Sequence, residues 1–221
     1  MVQVFDNLLN EEELQELLDY FNIDDELTDA REFVRSKHPK WGETEWPEHL
    51  VKRVCDSVLE EEYEVEEVVI NDSTISFQIH TDNGYSNDKS YKGVLIPLTT
   101  FDGVGSTVYF DNYYNGDAAK FVASEDPYKD HKRDQSKNLT TQDQRIHDYS
   151  VLENYTGKDF PKNDYEEYLN HIPYENLHGL KLDKVIEWKP GSAIVFDRNQ
   201  LHAASSQHQR KIGISVFVNK K

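Results

Sequence analysis

Two residues with metal-binding chemistry lie two positions apart in the middle of the chain. His80 ends a segment, 75–80, in which apolar and polar residues alternate, as they do in a strand with one face in water. Asp82 follows two positions later. Asn83 and Gly84 follow as a turn signal. Because side chains two apart on a strand point the same way, the imidazole and the carboxylate can approach one ion together. Such a pair suits a divalent transition metal, although the spacing also occurs by chance on protein surfaces.

A second stretch near the C-terminus supplies another histidine next to a strand. The Pro-Gly pair at 190–191 predicts a turn, 192–196 a short buried strand, and 197–200 another turn directly before His202. After a polar loop, 210–218 alternates again and predicts the last strand of the fold. The second histidine is therefore expected between two neighbouring strands.

Together these segments resemble the Fe(II)/2-oxoglutarate-dependent dioxygenases, including their prolyl hydroxylase-like and phytanoyl-CoA hydroxylase-like members. In that family a double-stranded β-helix carries His-x-Asp, a distal histidine after a Pro-Gly turn and a strand, and then a basic residue for the cosubstrate. The match in order and strand context runs from Ile75 to the end, roughly two-thirds of the chain. The resemblance implies a mainly β fold with flanking α-helices, in which a jelly-roll or cupin-like barrel has N-terminal helices packed on its major sheet.

The resemblance also implies a site and a reaction. His80, Asp82 and His202 would be both the catalytic centre and the ligands of Fe(II), with coordination positions left open. The cosubstrate would be 2-oxoglutarate, the oxidant O2, and the reductant ascorbate. The expected activity is hydroxylation of an unactivated C–H bond, with release of succinate and CO2.

The last strand offers two bases for the far carboxylate of 2-oxoglutarate. The apolar face of this strand consists of Ile212, Ile214, Val216 and Val218. We expect that face to pack against the N-terminal helices, which turns Lys211 towards the inside of the barrel. Arg210 has the planar guanidinium that the family usually places here, but it lies on the wrong face unless a bulge shifts the register. We favour Lys211 and keep Arg210 as the alternative.

The chain is predicted to form one oxygenase domain, 1–221, built from three parts. Residues 1–62 supply helical support, and 63–110 with 181–221 form the barrel core and the metal site. From 111 to 180 the strand rhythm fades, and irregular connections of that length are uncommon in compact domains. We interpret 111–180 as an insertion between the middle strands that folds over the open end. It is either a substrate lid or an excursion that serves packing or oligomerisation, and the aromatic residues that suit both roles are Tyr113, Tyr114 and Tyr155.

The N-terminal part contains two helix patterns. Asn10 can cap the first helix while Glu13 reaches back to it, and a stripe of apolar residues follows at helical spacing. A second helix is predicted for 47–59, with Cys55 in the core. The segment between them, 22–45, is predicted to be less regular.

Composition limits the function classes. The chain has 221 residues, with 42 acidic and 24 basic side chains and a net charge of −18, so a nucleic-acid partner is disfavoured. One cysteine excludes an internal disulfide and favours a reducing compartment, and no apolar run reaches membrane-spanning length. We therefore expect a cytoplasmic protein without a membrane partner, a monomer or homodimer. Its substrate would be a peptide or a small molecule, neutral or cationic.

Two other function classes remain open. A barrel without a partner arginine can be a binding protein that holds metal or ligand and catalyses nothing. Two histidines and an aspartate also fit a hydrolytic zinc site, although no general base is evident one residue away. Metal content together with succinate formation separates these classes.

Overall fold

The computed structural model describes residues 2–23, 29–31, 34–43, 45–73, 76–77, 79–82, 90–100, 105–114, 139–141, 160–177, 180–206 and 210–221. Two helices precede the barrel: α1, Glu11–Ile23, and α2, Glu48–Val58. The strands are β1 Gln3–Phe5, β2 Asp29–Arg31, β3 Val34–Lys37, β4 Tyr63–Ser73, β5 Ser90–Thr100, β6 Ser106–Tyr114, β7 Leu139–Thr141, β8 Leu182–Glu187, β9 Ala193–Asp197, β10 Gln200–Ala204 and β11 Lys211–Lys220.

Two antiparallel sheets form the barrel. The large sheet has the order β1-β9-β5-β11-β4-β3-β2. In the small sheet β6 is central, with β10 on one side and both β7 and β8 on the other. From β8 to β11, consecutive strands alternate between the small and the large sheet, as in a jelly roll. The predicted mainly β architecture is confirmed.

Both N-terminal helices pack on the outer face of the large sheet. The reciprocal cap predicted for α1 is present, because the backbone N–H of Glu13 donates to Asn10 Oδ1 and that of Asn10 donates to Glu13 Oε2, each at 3.0 Å. The core between helices and sheet includes Leu17, Phe21, Leu50, Val54 and Cys55 from the helices and Ile212, Ile214, Val216 and Val218 from β11. This packing confirms the predicted outer face of β11 and leaves Lys211 on the inner face.

The inside of the barrel is closed by side chains from both sheets. A buried cluster joins Val2, Tyr109 and Ile186 to Ile194 and Phe196. Tyr109 and Ile186 come from the small sheet, and the other two strand residues come from β9 of the large sheet. The two sheets therefore form one packed unit around the site.

The described end of the insertion covers the outside of the small sheet. A helical stretch, Lys162–Asp164, continues into a π-helical segment, Tyr165–Leu169, and a 3-10 turn follows at Tyr174–Leu177. This portion packs its apolar side chains on the outward residues of β6 and β10, including Phe110 and Leu201. It supports the sheet from behind. The interpretation of 111–180 as a lid or as an excursion stays a prediction. Most of the predicted lid, including Tyr155, lies outside the described residues.

Three local features differ from the sequence-based expectations. The segment predicted to be less regular contains the hairpin β2–β3, which extends the large sheet beside β4. Proline limits strand pairing because it has no backbone N–H, yet β5 runs on past Pro97 to Thr100. A register shift between Ile212 and Gly213 on β11 absorbs the irregularity opposite the proline. β6 also continues to Tyr114, past the predicted boundary of the barrel core at residue 110.

None of the helices that the structure describes combines the length and apolarity needed to cross a lipid bilayer. Cys55 is a free thiol in the helix–sheet core, and burial raises its pKa to about 12. An unreactive, packed cysteine agrees with the predicted core role.

Candidate metal centre

His80 and His202 lie opposite each other in an isolated antiparallel bridge. The backbone N–H of His80 donates to the carbonyl of His202 at 2.9 Å, and that of His202 donates to the carbonyl of His80 at 3.0 Å. Residues directly opposite in an antiparallel pair carry their side chains on the same face. The two imidazole rings accordingly lie 4.3 Å apart, centre to centre.

Asp82 completes the constellation from the loop that follows His80. Its Oδ1 lies 3.6 Å from Nε2 of His80, and its Oδ2 lies 3.3 Å from Nε2 of His202. One ligand atom from each of the three side chains lies within 4.8 Å of the others. In the described part of the chain this is the one such cluster of three. The sequence prediction of His80, Asp82 and His202 as metal ligands thus has the geometry it needs.

The ring of His202 is oriented by its surroundings. Its Nδ1 lies 3.0 Å from the carbonyl of Gln200, a contact in which Nδ1–H donates and Nε2 is left to face Asp82. Tyr109 stacks on the ring at 5.6 Å, and Phe196 packs against it at 5.0 Å with its edge. This packing and the hydrogen bond hold one imidazole nitrogen towards the centre of the site.

The charged side chains of the cluster shift the pKa values of Asp82 and His202 in opposite directions. Burial opposes ionisation of Asp82, but the neighbouring imidazoles of His202 and His80 outweigh it and hold the pKa of the carboxyl below its usual value. Burial likewise opposes protonation of His202, and the charge of Asp82 reverses this effect and raises the pKa of the imidazole. The cluster therefore attracts positive charge, and a divalent cation can take the place of the proton shared with Asp82.

The donor set fits a divalent transition metal. Two imidazole nitrogens and one carboxylate oxygen, with three coordination positions left for other ligands, are the arrangement typical of non-haem Fe(II) sites. The same donors also bind zinc. His80 and Asp82 retain partial exposure, about one-fifth of each side chain, so the site is open on one side.

Lys211 lies inside the barrel at the start of β11. Its side chain is 7% exposed, and its Nζ lies 4.5 Å from the centre of the Trp188 ring. No hydrogen-bond acceptor or carboxylate of the described residues contacts the ammonium. Burial without a counter-charge lowers the pKa of Lys211 to about 8. Such a group can accept an anion as its partner.

Arg210 is engaged elsewhere. Its Nε and Nη2 each donate to the carboxylate of Asp72 at 2.7 Å, a bidentate pair, and Arg35 donates to the same carboxylate from β3. Asp72 is 4% exposed, and although burial opposes its ionisation, the two guanidinium groups keep its pKa low. Of the two candidate bases for the cosubstrate, Lys211 is therefore the one directed into the barrel.

Sequence reasoning missed Trp188 and Tyr109 as parts of this interior. The indole N–H of Trp188 and the hydroxyl of Tyr109 are both buried, and neither has a hydrogen-bond partner in the described part of the chain. Their neighbours come from other strands, so no local pattern marks them. One residue in the sequence is tied to the position of Trp188. Gly213 leaves room for the indole, because a Cβ there would lie 2.5 Å from Cζ2 of Trp188.

No family model and no curated protein matches the sequence. Solved structures match it by shape. HygX from Streptomyces hygroscopicus, with nickel, 2-oxoglutarate and hygromycin B bound, has a TM-score of 0.54 at 10% identity, with 100% of this chain and 82% of HygX covered. SnoK, a non-haem α-ketoglutarate-dependent carbocyclase from nogalamycin biosynthesis, has 0.52 at 15%, with 99% and 79% covered. SnoN, an epimerase from nogalamycin biosynthesis, has 0.51 at 8%, with 99% and 78% covered.

The chain has the fold of the non-haem, 2-oxoglutarate-dependent oxygenases. This confirms the double-stranded β-helix predicted from the sequence. In the oxygenase fold of this chain, the His80–His202 bridge continues the small sheet beyond β10, and Asp82 follows it in the connection towards β5. The inward-facing start of β11 carries Lys211.

Proposed function

We propose that this protein is a non-haem Fe(II)- and 2-oxoglutarate-dependent oxygenase. The observation that carries the proposal is the set of three ligand atoms, from His80, Asp82 and His202, within 4.8 Å of one another on an oxygenase fold. A second feature supports it: a buried lysine without a described partner, Lys211, points into the same barrel. Together they provide one site for a metal and one cation for a dicarboxylate.

Each side chain has a definite task in this proposal. His80 and His202 present neutral imidazole nitrogens, and Asp82 contributes the negative charge that makes the site selective for a divalent cation. Gln200 holds the tautomer of His202 through its carbonyl. The metal, when bound with 2-oxoglutarate and O2, supplies the oxidative decarboxylation and the oxidation of a C–H bond.

Lys211 would hold the far carboxylate of 2-oxoglutarate. Because the ammonium is buried, water solvates it poorly. A carboxylate that binds there supplies the counter-charge that the described residues do not provide. Nearby apolar side chains, including Ile194 and Phe196, exclude water from the interior. Exclusion of water limits side reactions that would compete with oxidation of the organic substrate.

The proposed substrate is a peptide residue or a small molecule, oxidised at an unactivated carbon. HygX is a small-molecule example on this fold, since its structure holds hygromycin B. SnoK and SnoN are described as a carbocyclase and an epimerase, so the fold supports outcomes other than hydroxylation. We propose hydroxylation for this chain, and its net charge of −18 favours a neutral or cationic substrate.

Turnover of 2-oxoglutarate without added substrate tests the oxygenase assignment. The Fe(II)-loaded protein with ascorbate should release succinate under air. Asp82→Ala should reduce succinate formation to background, and His38→Ala is the matched control because His38 lies on the surface against Glu67. Equal succinate formation by wild type and Asp82→Ala would contradict the ligand assignment. Metal binding with no succinate from the wild type would favour the non-catalytic or hydrolytic class.

A further inference from the structure

Trp188 presents a buried donor that the proposed chemistry has not used. The residue follows β8, and its backbone N–H donates to the carbonyl of Gly105 at 2.7 Å. Its side chain is 6% exposed and lies against Gly213, where a side chain would collide with the ring. The indole is therefore held in one place between two strands.

The indole N–H of Trp188 has no acceptor in the described part of the chain. A buried donor without an acceptor is costly and rare, which points to a ligand that completes it. The ammonium of Lys211, 4.5 Å from the ring centre, lacks an acceptor among the same residues. Two neighbouring donors without acceptors match the two oxygens of one carboxylate.

Tyr109 is a further buried donor without a partner in the described residues, but its position suits an anion less. Its ring stacks on His202. Tyr109 thus lies beside the metal-binding cluster, whereas the ammonium of Lys211 has no counter-charge among the described residues and attracts an anion. The charge distribution thus assigns the carboxylate to the side of the barrel that holds Trp188.

We propose that the indole N–H of Trp188 and the ammonium of Lys211 together bind the far carboxylate of 2-oxoglutarate. This inference rests on the proposed function. An arginine grips a carboxylate with two parallel hydrogen bonds, whereas a lysine ammonium is a point charge that does not fix its orientation. In this chain the rigid indole N–H supplies the second, directional bond. Trp188 and Lys211 thereby do jointly what a single arginine does elsewhere.

The test compares Trp188→Phe with the wild type in Ni(II)-loaded protein under titration calorimetry. Phenylalanine keeps an aromatic ring below the ammonium, but it removes the N–H donor together with part of the indole that packs on Gly213. The variant should bind 2-oxoglutarate at least about tenfold more weakly, the loss expected for one hydrogen bond to a charged group. It should bind 2-oxopentanoate as the wild type does, because this acid has a methyl group in place of the far carboxylate.

A second measurement is made on the wild type and uses the variant only to assign one signal. The chain has three tryptophans, so the ¹⁵N-labelled, Zn(II)-loaded wild type gives three indole N–H signals, and Trp188→Phe identifies one of them. That signal should move downfield with 2-oxoglutarate and stay in place with 2-oxopentanoate. Unchanged affinity of the variant, or an equal loss for both acids, overturns the role of Trp188. A wild type that binds metal but not 2-oxoglutarate overturns the proposed function itself.

Discussion

His80 and His202 hydrogen-bond to each other through their backbones, in both directions, at 2.9 and 3.0 Å. This bridge joins the two metal-binding segments before any metal is present, because the backbone pairing alone puts both rings on one face. The ligands are therefore pre-organised by the sheet. The ion has to add only its own bonds and the positioning of Asp82.

The first prediction concerns metal affinity. His202→Ala and Asp82→Ala should each weaken Co(II) binding by at least about a hundredfold, because each removes a direct ligand. Mutation of residues that only hydrogen-bond to a ligand already costs about 10- to 100-fold. Titration calorimetry of the metal-free protein measures the effect. His171→Ala is a suitable control, since His171 contacts Ser206 and lies outside the cluster of three. Wild-type affinity in either ligand variant would contradict the assignment.

The second prediction concerns the stability cost of Lys211. Its pKa is about 8 in the folded protein and 10.5 in the unfolded chain, so below pH 8 both states are protonated and the folded state carries the full cost of a buried charge. Lys211→Met should therefore stabilise the metal-free protein at pH 7 by on the order of 2 kcal/mol. The gain should fade as the pH rises from 8 to 10.5. Urea denaturation at several pH values provides the measurement, and a gain independent of pH would count against a buried ammonium.

As the counterpart of this second prediction, Arg210→Met should lower the free energy of unfolding, whereas Lys211→Met raises it. Arg210→Met removes a bidentate partner of Asp72, a carboxylate that is 4% exposed and keeps Arg35 as its remaining cation among the described residues. A buried carboxylate that loses hydrogen bonds destabilises the fold, here by about 1–3 kcal/mol. The same denaturation experiment reports it. If Arg210→Met proved neutral while 2-oxoglutarate binding disappeared, Arg210 and not Lys211 would be the cosubstrate base.

A third prediction concerns the pH dependence of 2-oxoglutarate binding. Because the free protein loses the charge of Lys211 above a pKa of about 8, the affinity should fall roughly tenfold for each pH unit beyond that value. Calorimetry with the Ni(II) form between pH 7 and 9 tests this. In Lys211→Arg the guanidinium stays charged, so its affinity should not vary with pH over that range. Identical pH profiles for the two proteins would remove Lys211 from the binding site.

A fourth prediction uses Gly213, where the backbone of β11 meets an aromatic ring. A methyl group in Gly213→Ala would lie 2.5 Å from Cζ2 of Trp188, so the indole has to move away from the strand. We expect a loss of about 1–3 kcal/mol in the free energy of unfolding. A weaker affinity for 2-oxoglutarate should accompany it, because Trp188 moves. Unchanged stability would show that the ring is not confined there.

The features predicted correctly from sequence depend on local patterns. Alternation of apolar and polar residues locates the last strand, β11. The segment 75–80 was predicted to be a strand from the same pattern, but its described residues form only the isolated bridge of His80 with His202. The outer face of β11 followed from the apolar residues at every second position, with Ile212 as the first. Such patterns are readable because a strand has a period of two.

What the sequence could not supply are contacts between distant segments. Arg210 has the better chemistry for a carboxylate, and only the fold reveals that Asp72, 138 positions away, already occupies it. The contact of Trp188 with Lys211 likewise joins separate strands. The hairpin β2–β3 was missed because its strands are three and four residues long and obtain their order from pairing with β4.

An anaerobic titration tests the central claim most directly. The metal-free protein receives Fe(II) and then 2-oxoglutarate while the visible spectrum is recorded. The proposed site predicts a charge-transfer band from the chelated complex, lost in His202→Ala and shifted to much higher 2-oxoglutarate concentrations in Lys211→Met. Iron binding without such a band in the wild type would contradict the oxygenase assignment and leave a metal-binding or hydrolytic barrel.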